Sequence, residues 1–295
     1  GLRSKPPLQF KAFCSRFTFY VSRMNIIDLN LLFSALRLAT PIAIIAIGET
    51  YSERSGVINV GVEGMAVLGA LTSAIVNFYT GNPWIGFSAS IVASAIFGWI
   101  HALWCIRFSA NQIVSGIAIN ILVMGLAYFS TSAIWGWRGT SASAATLNIW
   151  VIIGLMFAAI LISQIFIYRT RWGLRLRVVG ERPEAADTAG INVARTRYTY
   201  TILNGAFCGL AGAFFFNNLG RFTAGMVGGR GFIGIAAMVV GNYIPIRVFG
   251  AAFLFGFIDA LQMRLQAFIP SQFSIMLPYL LTVIILAGFM GRADV

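Results

Sequence analysis

Nine apolar runs, most of them about 20 residues long, follow one another along the chain and are separated by short polar connections. They occupy residues 29–48, 57–78, 84–106, 112–135, 148–168, 198–219, 231–243, 246–267 and 273–290. A helix of about 20 residues crosses the hydrocarbon core of a bilayer, because each residue adds about 1.5 Å. Only 10% of the residues are charged, whereas soluble domains carry about 25%. The sequence therefore predicts an all-α membrane protein with about nine transmembrane segments, in a range of roughly eight to ten.

The longest polar interruption is the segment 169–197, which contains seven arginines and three acidic residues. Basic loops of membrane proteins stay on the cytoplasmic side, so this segment predicts the orientation of the chain. Within it, Pro183 and Glu184 favour a short helix, since proline fits the first turn and an acid suits the positive end of the helix dipole. Gly190 is typical of the end of such a helix. A short capped helix suits a docking site for a soluble partner; an ordinary stop-transfer loop is the alternative.

The distribution of arginines predicts which side of the membrane each end of the chain faces. With segment 169–197 inside, counting back over five spans places the residue-24 end outside, and eleven arginines then face the inside against four outside. Residues 1–23 carry five basic residues and no acid. They are predicted to be either an upstream extension or a remnant foreign to the native chain. The remaining residues, 24–295, are expected to form a single transmembrane domain.

Several function classes are excluded by the residues that the chain contains. The net charge of +12 comes from arginines at the ends of apolar runs, so no nucleic-acid partner is predicted. Lysine occurs only at Lys5 and Lys11, and a P-loop needs a lysine after its glycine-rich turn. ATP hydrolysis is therefore expected in a separate subunit, and this chain is not predicted to be an enzyme. No metal or cofactor pattern appears, and the single histidine, His101, is expected to be a hydrogen-bonded helix residue.

Similar sequence features recur in the two halves of the chain. The clearest pair is IFGWIHAL at residues 96–103 and LFGFIDAL at residues 254–261. Five spans, an odd number, separate equivalent segments, so the predicted repeats, about 57–135 and 224–290, would be inverted in the membrane. The apolar runs that open the two repeats begin with glycine-rich sequence and are predicted to be broken or short helices. Inverted repeats with broken helices are typical of transporters; chance similarity among apolar helices is the alternative.

Small residues at four-residue spacing predict where helices approach each other closely. Such pairs occur at Gly86 and Ser90 and at Gly205 and Gly209. Without large side chains between them, two helix backbones can come into contact.

Polar residues inside the predicted spans mark a candidate pathway for a solute, because ionisable groups are costly in hydrocarbon and usually face a cavity or a partner. Glu63 and Arg230 occupy equivalent places in the two repeats, so we expect them to approach each other or to line the pathway. Polar caps at helix ends are the alternative. Asn59, Asn120 and Asn204 could bind a polar solute, and hydrogen bonds between helices explain them as well. The other ionisable residues expected in spans are Arg37, His101 and Asp259.

Three stretches carry a resemblance to a known family. The first is ERSGVINVGVEGM (residues 53–65), the second is TRWGLRLRVVGERPEAA (170–186) and the third begins with GRGFI (229–233). The first two are specific, and the resemblance covers roughly residues 25–290. The chain resembles the permease subunits of nucleoside and simple-sugar ABC importers, a group that includes ribose-type and branched-chain amino acid permeases.

The resemblance implies an assembly in a bacterial inner membrane. Two permease subunits, identical or related, would form the pore, and two ATP-binding-cassette ATPases would dock on the cytoplasmic loops. A periplasmic or lipoprotein solute-binding protein would deliver the solute. The glutamate at position 63 is similar to that of the nucleoside-type branch, which implies import of a nucleoside-like or simple-sugar solute by alternating access.

The resemblance also implies a role for the cytoplasmic segment. In the family, ATP binding moves a short helix of this loop and switches the pathway between outward and inward access. The coupling residues that it implies here are Gly180, Glu181, Pro183, Glu184, Ala185, Ala186 and Gly190.

Three alternatives stay open at the level of sequence. A self-contained channel or secondary transporter would need ion-coupling acids in mid-membrane, for which only Glu63 and Asp259 qualify. An ABC permease for branched-chain amino acids or another small solute would share the same motifs. An intramembrane enzyme would need a nucleophile and a base that the chain does not offer.

Overall fold

The computed structural model describes residues 28–266 together with Met276 and Leu280. The predictions for the N-terminal extension and for the last apolar run (273–290) lie outside the described residues. Between residues 28 and 266 the chain folds into ten α-helices, and no β-strand forms there apart from one isolated bridge. The predicted all-α class is confirmed.

The helices follow the apolar runs, and two further helices form in the segment 169–197. They are α1 (Leu29–Arg54), α2 (Val62–Thr80), α3 (Pro83–Ala102), α4 (Gln112–Trp135), α5 (Ile149–Arg169), α6 (Arg171–Glu181), α7 (Pro183–Thr188), α8 (Val193–Leu219), α9 (Arg230–Val240) and α10 (Pro245–Leu265). A π-helical turn, Leu103–Arg107, continues α3.

Seven helices of the described residues are long and apolar enough to cross a membrane: α1 to α5, α8 and α10. Helix α9 has only 11 residues, which agrees with the expectation of a short helix after the glycine-rich sequence. The count of about nine spans stays a prediction, because the ninth run lies outside the described residues.

Local sequence explains where most helices begin. Proline occupies the first turn of α3, α7 and α10, where its missing N–H costs no hydrogen bond. Six other residues cap a helix by accepting a hydrogen bond from a backbone N–H two or three residues later. They are Asp28, Asn82, Asn111, Asn148, Thr170 and Asn192.

The two ends of α1 lie on opposite sides of the helix bundle. Its last residue, Arg54, contacts Gly180 of α6, so α1 ends beside the segment 169–197; we call this the loop side. Its first turn lies on the far side, where Asp28 pairs with Arg264 at 2.6 Å. A backbone N–H of α1 and then this guanidinium hold the pKa of Asp28 below its ordinary value. The chain thus enters the bundle opposite the basic segment, as the count of spans predicts.

The helices that precede the two predicted repeats are exchanged between them. Helix α8 packs along α2 and α3 of the first repeat, whereas α1 packs along α9 and α10 of the second. Helices α1 and α8 also pack on each other at the centre of the bundle. Two related halves would give this matched set of contacts, and the repeat with its bounds stays a prediction.

The predicted close approaches of small residues occur between α2, α3 and α8. A Cβ added at Gly205 or Gly209 would lie 2.4 Å from the carbonyl oxygen of Ser94 or Ser90, respectively. A Cβ at Gly86 would lie 2.8 Å from a carbonyl oxygen of α2. We call this contact region the glycine seam. Because the backbones touch there, the three helices form a tightly packed unit.

Candidate translocation site and coupling segment

The chain is interrupted between α1 and α2, and Asn59 lies fully buried in this break. Its side-chain oxygen accepts a hydrogen bond of 2.9 Å from the N–H of Gly61. Its backbone N–H donates to the Glu49 carboxylate at 2.9 Å. Non-helical backbone inside a membrane needs such partners, because no water is available to satisfy it. Asn59 therefore stabilises the break, and its contact with a solute stays a prediction.

Glu49 of α1 is a buried acid that the sequence analysis did not single out. It also accepts a short hydrogen bond from the side-chain amide of Asn204 in α8. Its carboxylate thus joins α1, the break and α8. The predicted apolar run ends at residue 48, one residue before Glu49. Its position directly after a long apolar stretch and ten residues before Asn59 was the available signal.

Asn120 of α4 holds the start of α2. Its side-chain oxygen accepts from the N–H of Gly64 at 2.7 Å, and its amide donates to the carbonyl of Val60 at 3.0 Å. The N–H of Gly64 and the carbonyl of Val60 have no partner within a helix, because they lie at the start of α2. Asn120 therefore replaces the hydrogen bonds that the break removes.

Glu63 joins the beginnings of the two interrupted helices, α2 and α9. It lies in the first turn of α2, and its two carboxylate oxygens accept hydrogen bonds from Gly229 (2.8 Å) and Gly231 (2.7 Å). These N–H groups are at the start of α9, so the positive ends of both helix dipoles meet one negative charge. The carboxylate is close enough that a Cβ on Gly231 would lie 2.6 Å from it.

The backbone around Arg230 lies against the Glu63 carboxylate, yet the side chain of Arg230 pairs with a different acid. The guanidinium Nε lies 3.2 Å from an Asp259 carboxylate oxygen in α10, and both side chains are largely buried. The expected meeting of Glu63 and Arg230 therefore occurs through the backbone on either side of Arg230. The charge of Arg230 is balanced within the second repeat.

His101 in α3 occupies the place in the first repeat that Asp259 occupies in the second. It is buried, and its ring nitrogens lie 2.9 Å from the hydroxyl of Ser115 and 3.0 Å from the carbonyl of Ile58. His101 therefore binds the break before α2, and Asp259 binds the first residue of α9, each within its own repeat. The hydrogen-bonded role expected for His101 agrees with this geometry. Among the described residues, no group of His, Cys, Asp and Glu could hold a metal ion.

The structure brings the five candidate pathway residues to the two helix breaks. Asn59 and Asn204 are fully buried, while Glu63, Asn120 and Arg230 are partly exposed. All five use polar atoms in hydrogen bonds within the protein. They form the polar centre of the bundle, and their contact with a solute stays a prediction.

Helix α6 lies across the loop-side ends of α5 and α1. Its inner face includes buried Gly173 and half-buried Gly180, seven residues apart and so on one side of the helix. A Cβ at Gly173 would lie 2.1 Å from the carbonyl oxygen of Phe166, and one at Gly180 would lie 2.1 Å from that of Arg54. The opposite face carries exposed residues such as Arg175. Sequence reasoning missed this helix.

Helix α7 is the short helix that the sequence predicted inside segment 169–197. Pro183 occupies its first turn, Glu184 and Ala185 are exposed, and Ala186 is buried. The helix ends at Thr188, before Gly190 with φ of +76°. An open groove of about 660 Å³ lies between α7 and the start of α8. Among the other implied coupling residues, Glu181 is exposed, whereas Gly180 is packed against α1.

Comparison with known proteins identifies the family. The permease component of the branched-chain amino acid transport system matches residues 31–286. The chain is 38% identical to the guanosine ABC transporter permease protein NupQ of Bacillus subtilis, over 87% of this chain and 90% of that protein. It is 36% identical to a putative glucose ABC transporter permease protein, TsgC13, of Haloferax volcanii, over 81% and 78%. It is 32% identical to the nucleoside ABC transporter permease protein NupC of Lactococcus lactis, over 92% and 95%.

The family match, the similar proteins and the seven apolar helices agree with one another. The helices make the chain a multi-pass protein of the inner membrane, and the interrupted helices meet at a buried polar centre. The chain therefore belongs to the branched-chain amino acid transport permease family and is a permease subunit of an ABC transporter.

Proposed function

We propose that this subunit imports an uncharged nucleoside-like solute, or a simple sugar, by alternating access. The observation that carries the proposal is the Glu63 carboxylate, which holds the starts of α2 and α9 together. Interrupted helices that meet in this way form the central site of many transporters with inverted repeats. The names of the similar proteins, which transport guanosine, nucleosides and glucose, support this class of solute.

The balance of charge at the polar centre favours an uncharged solute over an amino acid. In transporters of anionic substrates, helix N-termini commonly point at the substrate's negative group. Here Glu63 already occupies the N–H groups of α9, and Asp259 neutralises Arg230. Little positive potential therefore remains for a carboxylate, whereas hydroxyl and amide groups can still exchange hydrogen bonds.

The energy would come from a separate ATPase that docks on α6 and α7. The exposed residues Glu181, Glu184 and Ala185 offer a contact surface next to the groove of α7. Helix α6 joins this surface to the ends of α5 and α1 through Gly173 and Gly180. A force on α7 would thus reach the bundle through direct backbone contacts.

The complete importer would contain a second permease subunit and a solute-binding protein. Many large apolar side chains of α4 and α5 are exposed in the single chain, and lipid and a second permease would cover them together. The resemblance to nucleoside-type importers favours a related second permease.

Reconstitution tests the proposal. The chain would be purified with its second permease, its ATPases and its binding protein, placed in proteoliposomes, and supplied with radiolabelled guanosine, glucose or leucine. We expect ATP-dependent uptake of guanosine or glucose and none of leucine. Uptake driven by an ion gradient without ATP would contradict the proposal in favour of a secondary transporter. Uptake of leucine alone would contradict the proposed class of solute.

A further inference from the structure

The loop-side end of α1 connects the cytoplasmic segment to the polar centre. On one side, Gly180 of α6 packs directly against the carbonyl group of Arg54. From α8, Arg197 donates a hydrogen bond of 3.2 Å to the carbonyl of Ser55. The cytoplasmic segment therefore contacts the last residue of α1 and the first residue after it.

The side chain of Arg54 extends from this contact to the end of α9. Its Nε donates to the carbonyl of Tyr243 at 3.1 Å, and its Nη2 donates to the hydroxyl of Tyr168 at 3.1 Å. The guanidinium carbon also lies 5.7 Å from the ring centre of Tyr168 and 5.9 Å from that of Tyr243. One cation therefore joins the loop-side ends of α1, α5 and α9.

Tyr243 is a suitable point for a force to act on α9. It follows the helix in a left-handed conformation, with φ of +58°, and Asn242 before it has φ of +50°. Non-glycine residues rarely adopt this conformation. The turn is also tightly packed, because a Cβ on Gly241 would lie 2.5 Å from the backbone of Val248. A movement at Tyr243 would therefore shift α9 rather than be absorbed by a loose loop.

The other end of α9 is bound by Glu63. The 11 residues of α9 span about 16 Å. The helix is thus a short rod, held by Arg54 at the loop side and by the Glu63 carboxylate at the polar centre.

We propose that Arg54 is a positioning residue that transmits displacement of α6 to α9, and so opens or closes the contact between α9 and Glu63. The inference rests on the proposed function, since it assumes that an ATPase moves the cytoplasmic segment. A purely structural role is the competing explanation, because a cation in the last turn of α1 is favourable to the helix dipole. Lysine would fulfil that second role, whereas its single ammonium cannot form the two-pronged contact of a guanidinium.

The first test compares the number of solute molecules imported per ATP hydrolysed in proteoliposomes that contain the complete importer. We expect Arg54→Gln and Arg54→Lys to lower this ratio by about 10-fold, within the usual range of coupling between sites, while the ATPase rate changes less than about twofold. Arg247→Gln is the control, since Arg247 is exposed at the start of α10 on the same side. It should leave the ratio unchanged.

The second test measures the movement of α9 directly. Spin labels replace Phe232, exposed in the first turn of α9, and Trp84, exposed at the start of α3. We expect ATP to change the distance between the labels in the otherwise native protein, and Arg54→Lys to abolish the change. If Arg54→Gln does not assemble, Arg54→Lys decides both tests, because it keeps the charge.

The outcomes separate the two proposals. If Arg54→Lys keeps both the normal import ratio and the distance change, Arg54 is not the link and its charge alone matters. If the native importer shows no ATP-dependent uptake, the proposed function fails before any variant is compared. If the native importer and the Arg54 variants all couple ATP hydrolysis to uptake normally, the proposed function stands and only the transmission by Arg54 is refuted.

Discussion

At the scale of single residues, buried carboxylates replace the hydrogen bonds that the helix breaks remove. Glu49 binds the N–H of Asn59 in the first break, and Glu63 binds two N–H groups at the start of α9. Neither acid depends on a cation for these bonds. Backbone N–H groups in hydrocarbon cost several kcal/mol when unsatisfied, roughly 2–7 by transfer measurements. Acidic side chains within the membrane therefore stabilise irregular backbone there.

We predict that Glu63→Gln weakens the contact between α2 and α9. A glutamine oxygen can accept one of the two hydrogen bonds, but its amide turns an N–H toward the other donor. The free energy of unfolding should fall by about 1.5–3 kcal/mol, the range for hydrogen bonds to a charged group. Unfolding of the purified chain in detergent would measure this. Asp187→Asn, at an exposed position of α7, is the control and should leave stability unchanged; an equally stable Glu63→Gln variant would refute the role.

A second prediction concerns the Arg230–Asp259 pair. Asp259→Asn leaves a largely buried guanidinium without its acid, so stability should fall by about 3 kcal/mol, at the low end for buried pairs because Arg230 is partly exposed. Adding Arg230→Gln removes the unpaired charge and should recover part of the loss. Unfolding midpoints of the two single variants and the double variant give the coupling energy. Strict additivity would show that the pair contributes nothing.

At the scale of helices, local signals were predictable from sequence and long-range contacts were not. Helix α7 was predicted because proline, acids and glycine act within a few residues. Helix α6 was missed because its stripe of Gly173, Leu176 and Gly180 makes sense only against the ends of α5 and α1. Helix α1 continues past residue 48 to Arg54, because other helices bury its polar last turns.

The candidate site shows the same division. The sequence selected Glu63 and the three asparagines by residue type and depth, and the structure places all of them at the helix breaks. Most of their partners could not be predicted. Glu63 and Asn120 bind backbone groups freed by an interruption elsewhere in the chain, and Asn204 binds the side chain of Glu49 in α1. The pairing of Arg230 with Asp259 could not be predicted either, because it depends on the packing of α9 on α10.

The third prediction belongs to the end of α7. Gly190 has φ of +76°, a conformation that asparagine tolerates and β-branched residues do not. Gly190→Asn should therefore keep ATP-driven uptake near normal, whereas Gly190→Val should lower it about 10-fold or more by displacing α7. Uptake and ATP hydrolysis in proteoliposomes would be measured together. Equal uptake by both variants would show that the ATPase contact does not need this turn.

At the scale of the whole molecule, two groups of helices pack side by side: α2, α3 and α8 form one, and α1, α9 and α10 form the other. The glycine seam joins α2, α3 and α8 by backbone contact, so these helices are expected to move as one body. Helix α9 is short, packs against α1 and α10, and is bound at its ends by Glu63 and Arg54. Relative motion of α9 against a rigid seam is the arrangement that alternating access between two halves requires.

The seam gives a fourth prediction, with a matched pair of substitutions in two helix interiors. A Cβ at Gly98 in α3 would lie 2.8 Å from the carbonyl oxygen of Thr201, whereas one at Gly125 in α4 meets nothing within 4 Å. Gly98→Ala should lower the free energy of unfolding by about 1–3 kcal/mol through overpacking. Gly125→Ala should raise it by about 0.5–1 kcal/mol through helix propensity. Similar values for both variants would contradict a seam of backbone contacts.

The hydrogen bond between Glu49 and Asn204 has a consequence for how the protein is made. The two residues are 155 positions apart, so at 5–20 residues per second the ribosome needs roughly 8–30 s to produce the partner after the acid. During that time α1 has left the ribosome, yet neither α8 nor the helices α9 and α10 that cover it exist. The insertion machinery must therefore keep a helix with an unsatisfied acid near water or protein until the second half of the chain arrives. Synthesis of the first half alone should leave α1 exposed to quality-control proteases.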